Sequence, residues 1–163
     1  MPAIKRCIQT PLGWFTLVEN DEAITNLLFG RAADDPSVGS SLLAEAERQV
    51  RAYLEGKLQR FTLPLNPQGT AFQLLCWNAL AQIPYGQTQT YGQLAKQIGR
   101  PGAARAVGMA AHRNPLPILI PCHRLIGAGE RLTGYAGGIA LKESLLHLEE
   151  NSNFDQRHNL RNA

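Results

Sequence analysis

Cys122 stands in the run Ile120-Pro121-Cys122-His123-Arg124, a thiol followed at once by an imidazole and a guanidinium. A cysteine closing the apolar run 116–120 could serve merely as a small buried hydrophobe. Its neighbours point instead to a nucleophile. His123 is a base, Arg124 and nearby cations favour a thiolate, and Pro115, Pro117 and Pro121 stiffen the approach. Adjacent side chains of an extended segment point apart, so His123 reaches the sulfur only if the chain turns or a water bridges them; the bridging water is the expected arrangement. No local carboxylate orients the imidazole, but the C-terminal helix offers Glu143, Glu149 and Glu150, any of which could do so.

Charge gives a second signal. Between Glu55 and Glu130 there is no Asp or Glu, whereas Lys57, Arg60, Lys96, Arg100, Arg105, Arg113 and Arg124 all lie there, in a chain of net charge +3. A basic, acid-free segment suits a polyanion. Cys7, Cys76 and Cys122 are odd in number and widely spaced, and the N-terminus lacks the apolar core of a signal peptide, so a reduced, cytoplasmic setting is expected. Apolar runs fall far short of the roughly 18 to 20 residues of a membrane span, so no membrane partner is expected.

In the first part of the chain KRCIQT, WFTLVEN and AITNLLF, separated by turn residues, predict a β-meander, and residues 32–40 have loop composition. Leu42, Leu43, Ala46, Val50, Tyr53 and Leu54 recur at helical spacing before Gly56, and FTLPL reads as a last short strand. The Asn66-Pro67-Gln68-Gly69 turn divides residues 1–68 from 69–150, and residues 151–163 read as a polar tail that frays. The second part opens with a helix presenting Phe72, Leu75, Cys76, Ala79, Leu80 and Ile83 on one face until Pro84. Thr90 and Gln93 form a capping box for the next helix, and Gly99-Arg100-Pro101-Gly102 turns the chain into a third, carrying Ala103, Ala104, Arg105, Ala106 and Gly108. Small residues around one long cation let backbone approach a duplex. An extended Pro-rich run, a Gly-rich loop over 127–138 and a final helix follow. The expected fold is α/β: a small α/β N-terminal domain of meander plus helix, then a mostly α, winged-helix-like C-terminal domain with a helix-turn-helix.

GTAFQ, IPYGQTQTYGQLA, RPGAARAVGMA, NPLPILIPCHRLIG and GYAGG followed by KESLLHLE together resemble the O6-alkylguanine-DNA alkyltransferases. The likeness is close over about residues 69–149 and general before them. It implies that Cys122 accepts an alkyl group from O6-alkylguanine in double-stranded DNA, irreversibly and once, with O4-alkylthymine raised as a second lesion. His123 would draw the thiol proton through a water and Glu149 would hold His123. Asn114 matches a hinge asparagine, Arg105 an arginine that replaces the extruded nucleotide, and Tyr91 a tyrosine that crowds its phosphate and donates to guanine N3. Ala103 and Ala104 would permit minor-groove approach. The guanine pocket would use the carbonyls of Cys122 and Leu125, the Tyr135 ring and the Ala136 amide. Base flipping is implied because a stacked base hides O6.

The resemblance implies a monomer with no cofactor and no obligate protein partner. Some relatives carry zinc in the N-terminal domain; here Cys7 is the only cysteine there and no histidine precedes His112, so no metal is expected. Leu125 stands where Val is more usual, and Cys76 where an aliphatic residue is. The residues alone leave two other readings: a non-catalytic helix-turn-helix DNA-binding module or regulator, in which Cys122→Ala keeps every activity, and a Cys-His acyl hydrolase or transferase, which would turn over repeatedly on an ester or amide without DNA.

Overall fold

The protein is described by a computed structural model covering residues 3–32, 40–129 and 131–161, with side chains as far as 152. The loop expected over 32–40 lies mostly outside the described residues. Strands β1 (Ile4–Thr10), β2 (Gly13–Asn20) and β3 (Ala23–Phe29) form the antiparallel meander in the order β1-β2-β3. The first hairpin closes at Thr10 opposite Gly13, whose φ of +111° disfavours any side chain.

Phe15, Leu17, Ile24 and Leu27 are buried, as are Leu43, Ala46, Gln49, Val50 and Tyr53 of helix α1 (Ser41–Leu54). Ser40 caps α1 by accepting from Leu43 N. The strand expected over 61–65 shrinks to one bridge, Ile24 with Leu65. Ile24 N donates to Pro64 O and Asn66 N to Ile24 O, but Pro64 has no N–H with which to continue the ladder.

The C-terminal domain comprises α2 (Ala71–Ala81), β4 (Gln89–Thr90), α3 (Tyr91–Gln97), α4 (Ala104–His112), β5 (Leu125–Ile126) and α5 (Ile139–Arg161). Complete capping boxes open both α2, through Thr70 and Gln73, and α3, through Thr90 and Gln93. Leu75, expected inside α2, is 38% exposed; Trp77 takes the interior, and its Nε1 donates to Ala110 O at 2.8 Å, joining α2 to α4. An indole can be buried this way because its one polar atom has found an acceptor.

β4 and β5 pair in parallel, Gln89 with Leu125 and Thr90 with Ile126. That register places the start of the helix-turn-helix beside the residues that follow Cys122. Helix α5 runs through the residues expected to fray, as far as Arg161. No Gly or Pro occurs from Ile139 onward, so a helix already nucleated by packing has nothing to stop it. No described helix is long and apolar enough to cross a membrane.

Candidate active site

The run from Asn114 to Leu125 is not extended, as its prolines suggest, but a succession of turns. Asn114 Nδ2 donates to Ile120 O at 2.8 Å, while its Oδ1 accepts from Leu116 N at 3.0 Å. One side chain thus clamps both ends of a loop that Ile120 N closes on Leu116 O. Within the loop Ile118 has a φ of +72°, an uncommon state for a β-branched residue. Pro121 then adopts φ −80°, ψ 65°, and Cys122 N donates to Ile120 O, an inverse γ-turn for which the ring pre-sets φ. A single 3-10 turn, Cys122–Arg124, follows.

These turns bury Cys122, His123 and Arg124 together. Glu149, from α5, is the carboxylate that meets them: His123 Nε2 lies 2.6 Å from its Oε2. Glu143 instead pairs with His147 in solvent, and Glu150 is exposed. Arg124, which the sequence suggests as a partner for a thiolate, donates through Nε and Nη2 to the two Glu149 oxygens at 2.8 and 3.0 Å, and through Nη1 to Ile83 O. Its charge is thereby committed to the carboxylate. Gly86 N and the Tyr53 hydroxyl also donate to Glu149.

The electrostatics follow from burial. It pushes the Cys122 thiol up to about 11, against the opposing pull of a hydrogen bond with Asn114 and the charge of Lys142. The resting sulfur is therefore a thiol, and it must lose its proton as it reacts. Burial also holds His123 below its ordinary value despite Glu149, so the imidazole is neutral. Glu149 is pushed up by burial, but hydrogen bonds from His123 and Arg124 prevail and hold it down to about 2. A carboxylate on Nε2 fixes the tautomer with the proton there. The free lone pair is then on Nδ1, a buried atom with no hydrogen-bond partner among the described residues.

Lys142 and Tyr53 are site residues that sequence reasoning missed. Lys142 is 1% exposed and donates to Leu125 O at 2.6 Å and Thr133 O at 3.1 Å. Its signal was available, since Lys142, Leu145 and Glu149 recur at helical spacing and share the buried stripe of α5. Tyr53 was legible only as one more apolar residue of α1.

Of the expected pocket residues, Leu125 and Tyr135 are buried and Ala136 is exposed in the turn before α5. Burial raises the Tyr135 phenol, and a charged Cys122 would raise it further. The Tyr91 hydroxyl is 2.6 Å from Thr133 Oγ1, so it is engaged with the Gly-rich loop. Arg105 is exposed near the start of α4, with Ala103 and Ala104 half-buried beside it.

Comparison with known proteins bears on both domains. Residues 4–67 match the family described as 6-O-methylguanine DNA methyltransferase, ribonuclease-like domain, and residues 71–151 match its DNA binding domain. The chain is 46% identical over 147 residues to the methylated-DNA–protein-cysteine methyltransferase of Methanosarcina acetivorans, covering 86% of this chain and 94% of that one. It is 45% identical over 150 residues to the protein of the same name from Mycobacterium bovis, with 89% and 91% covered. The crystal structure of Mycobacterium tuberculosis O6-methylguanine methyltransferase is similar at a TM-score of 0.83 and 44% identity, covering 93% of this chain and 94% of that one. That of Mycobacterium tuberculosis OGT in complex with DNA gives 0.82 at 44% identity, with 91% and 93% covered. With both domains matched and nearly half of all aligned residues identical, the chain belongs to the methylated-DNA–protein-cysteine methyltransferase family.

Proposed function

We propose that this protein repairs DNA by direct reversal, moving the alkyl group of O6-alkylguanine onto its own Cys122 once per molecule. The observation that carries the reading is the buried Cys122-His123-Glu149 arrangement: a thiol, a neutral imidazole with Nδ1 unclaimed, and a carboxylate fixed on Nε2. The thiol proton passes through a water to Nδ1 as the sulfur attacks the alkyl carbon in line. The carbon–O6 bond breaks, and guanine departs with the bonding pair. Protonation at guanine N3 improves that leaving group; Tyr91 would supply the proton by turning from Thr133. The imidazolium formed is stabilised by Glu149, the role the carboxylate plays in a Ser-His-Asp triad.

A thioether has no carbonyl for water to attack, so the reaction ends there. Binding is to double-stranded DNA through α3 and α4, with Arg105 filling the space of a flipped nucleotide and Ala103 and Ala104 against the minor groove. Residues 69–150 carry the chemistry and residues 1–68 support it. The protein acts in the cell interior, as a monomer without a protein partner; that its three cysteines are free suits a reducing compartment.

The reading is tested by titration with a duplex carrying O6-methylguanine. Repaired guanine should plateau at one equivalent per protein and vanish in Cys122→Ser. Continued turnover would refute the single-use mechanism, and activity retained by the variant would refute the acceptor.

A further inference from the structure

Tyr53 lies on the last turn of α1, in the N-terminal domain, yet its hydroxyl donates to Glu149 Oε2 and sits 3.4 Å from His123 Nε2. The residue is fully buried. Its ring is fixed on two sides, with the Phe61 centroid at 5.3 Å and that of Tyr85 at 6.1 Å in an edge-on arrangement. Tyr85 in turn lies under the Arg124 guanidinium, 5.6 Å from its centroid. Phe61 is held through its neighbour, since Thr62 exchanges hydrogen bonds with Gln49, one turn before Tyr53 on α1.

From this geometry we propose that Tyr53 is a positioning residue of the alkyl-transfer site, through which the N-terminal domain sets the orientation and proton affinity of the His123-Glu149 pair. The inference rests on the function proposed above. Oε2 is the oxygen that faces His123; Arg124 Nη2 donates to it from within the C-terminal domain, and Tyr53 adds a further donor to the same atom from the N-terminal domain. By donating to Oε2 it also withdraws negative charge from the atom that holds the imidazole. Burial and the Glu149 charge both raise the Tyr53 phenol, so it remains a donor throughout the working range. The charged and titratable groups facing the imidazole are Glu149, Arg124, Lys142 and Tyr53 itself.

Tyr53→Phe removes the hydroxyl and keeps the ring. Transfer to Cys122 should be followed in the full-length protein with two substrates, O6-methylguanine duplex and the free base O6-benzylguanine. The rate should fall about tenfold on both, the lower end of the loss seen when the partner orienting a metal-bound imidazole is removed. The acid limb of the rate–pH profile should move to higher pH, because an Oε2 relieved of one of its donors stabilises the imidazolium more. A variant whose melting temperature falls while rate per folded molecule and pH profile stay unchanged would overturn the proposal, as would a loss confined to the duplex. Wild-type protein inert on both substrates would overturn the functional reading and this proposal with it; active wild type matched by the variant overturns this proposal alone.

Discussion

At Cys122 the structure separates two properties that a reactive cysteine often combines. The thiol is buried and neutral at rest, and the means of deprotonating it is assembled one residue away. Glu149→Gln would leave Arg124 buried beside a neutral amide, so we expect a loss of about 3 kcal/mol in stability, measured by denaturant unfolding, together with slower transfer. Unchanged transfer in that variant would remove Glu149 from the site. The pH dependence of stability has a definite sign. His123 and Glu149 both take up protons less readily folded than unfolded, so acid favours the unfolded chain. Stability should be complete above the ordinary histidine value of 6.5, decline below it as unfolded His123 protonates, and decline further below 4.5, with the Glu149 share gone near pH 2. A melting temperature flat from neutrality to pH 4 would contradict this assignment. The Cys-His pair was legible because its two members are adjacent in sequence. The partner glutamate was one of three on bare residues, and only tertiary packing distinguishes Glu149 from Glu143 and Glu150.

At the scale of elements, local chemistry announced what it controls. Both capping boxes were readable as Thr and Gln three apart, and the Gly-Pro turn between α3 and α4 as a break between two helical runs. The turns from Asn114 to Arg124 were not, because they depend on a side chain bonding to backbone six residues on. Pro64 likewise cut a strand to a single bridge through one missing donor. Asn114→Ala should release both ends of the Leu116-to-Ile120 loop and cost about 2 kcal/mol, through buried groups left unpaired, with transfer slowed on every substrate. On α4, Arg105→Ala should slow repair of duplex much more than reaction with O6-benzylguanine; equal losses on both would refute the flipping role.

Over the whole molecule, the N-terminal domain reaches the site region at several points besides Tyr53. Leu27 N donates to Pro115 O beside the Asn114 clamp, and Phe29 packs edge-on against Tyr135 at 6.0 Å. A Cβ on Gly137 would come within 3.0 Å of that Phe29 ring, so the turn bearing the expected pocket wall is fitted to the meander. This support was invisible in sequence, where the first half matched its family only in outline. The acid-free charge of residues 56–129 was visible, and it predicts that duplex repair falls with rising salt while reaction with the free base does not. The central claim is the transfer of an alkyl group to one sulfur. Its most direct test is intact-protein and peptide mass spectrometry after mixing the protein with a duplex containing O6-methylguanine. The account predicts a stoichiometric gain of one methylene's mass, confined to the peptide containing Cys122. An unmodified protein that still binds the duplex, or a gain on any other peptide, would contradict it.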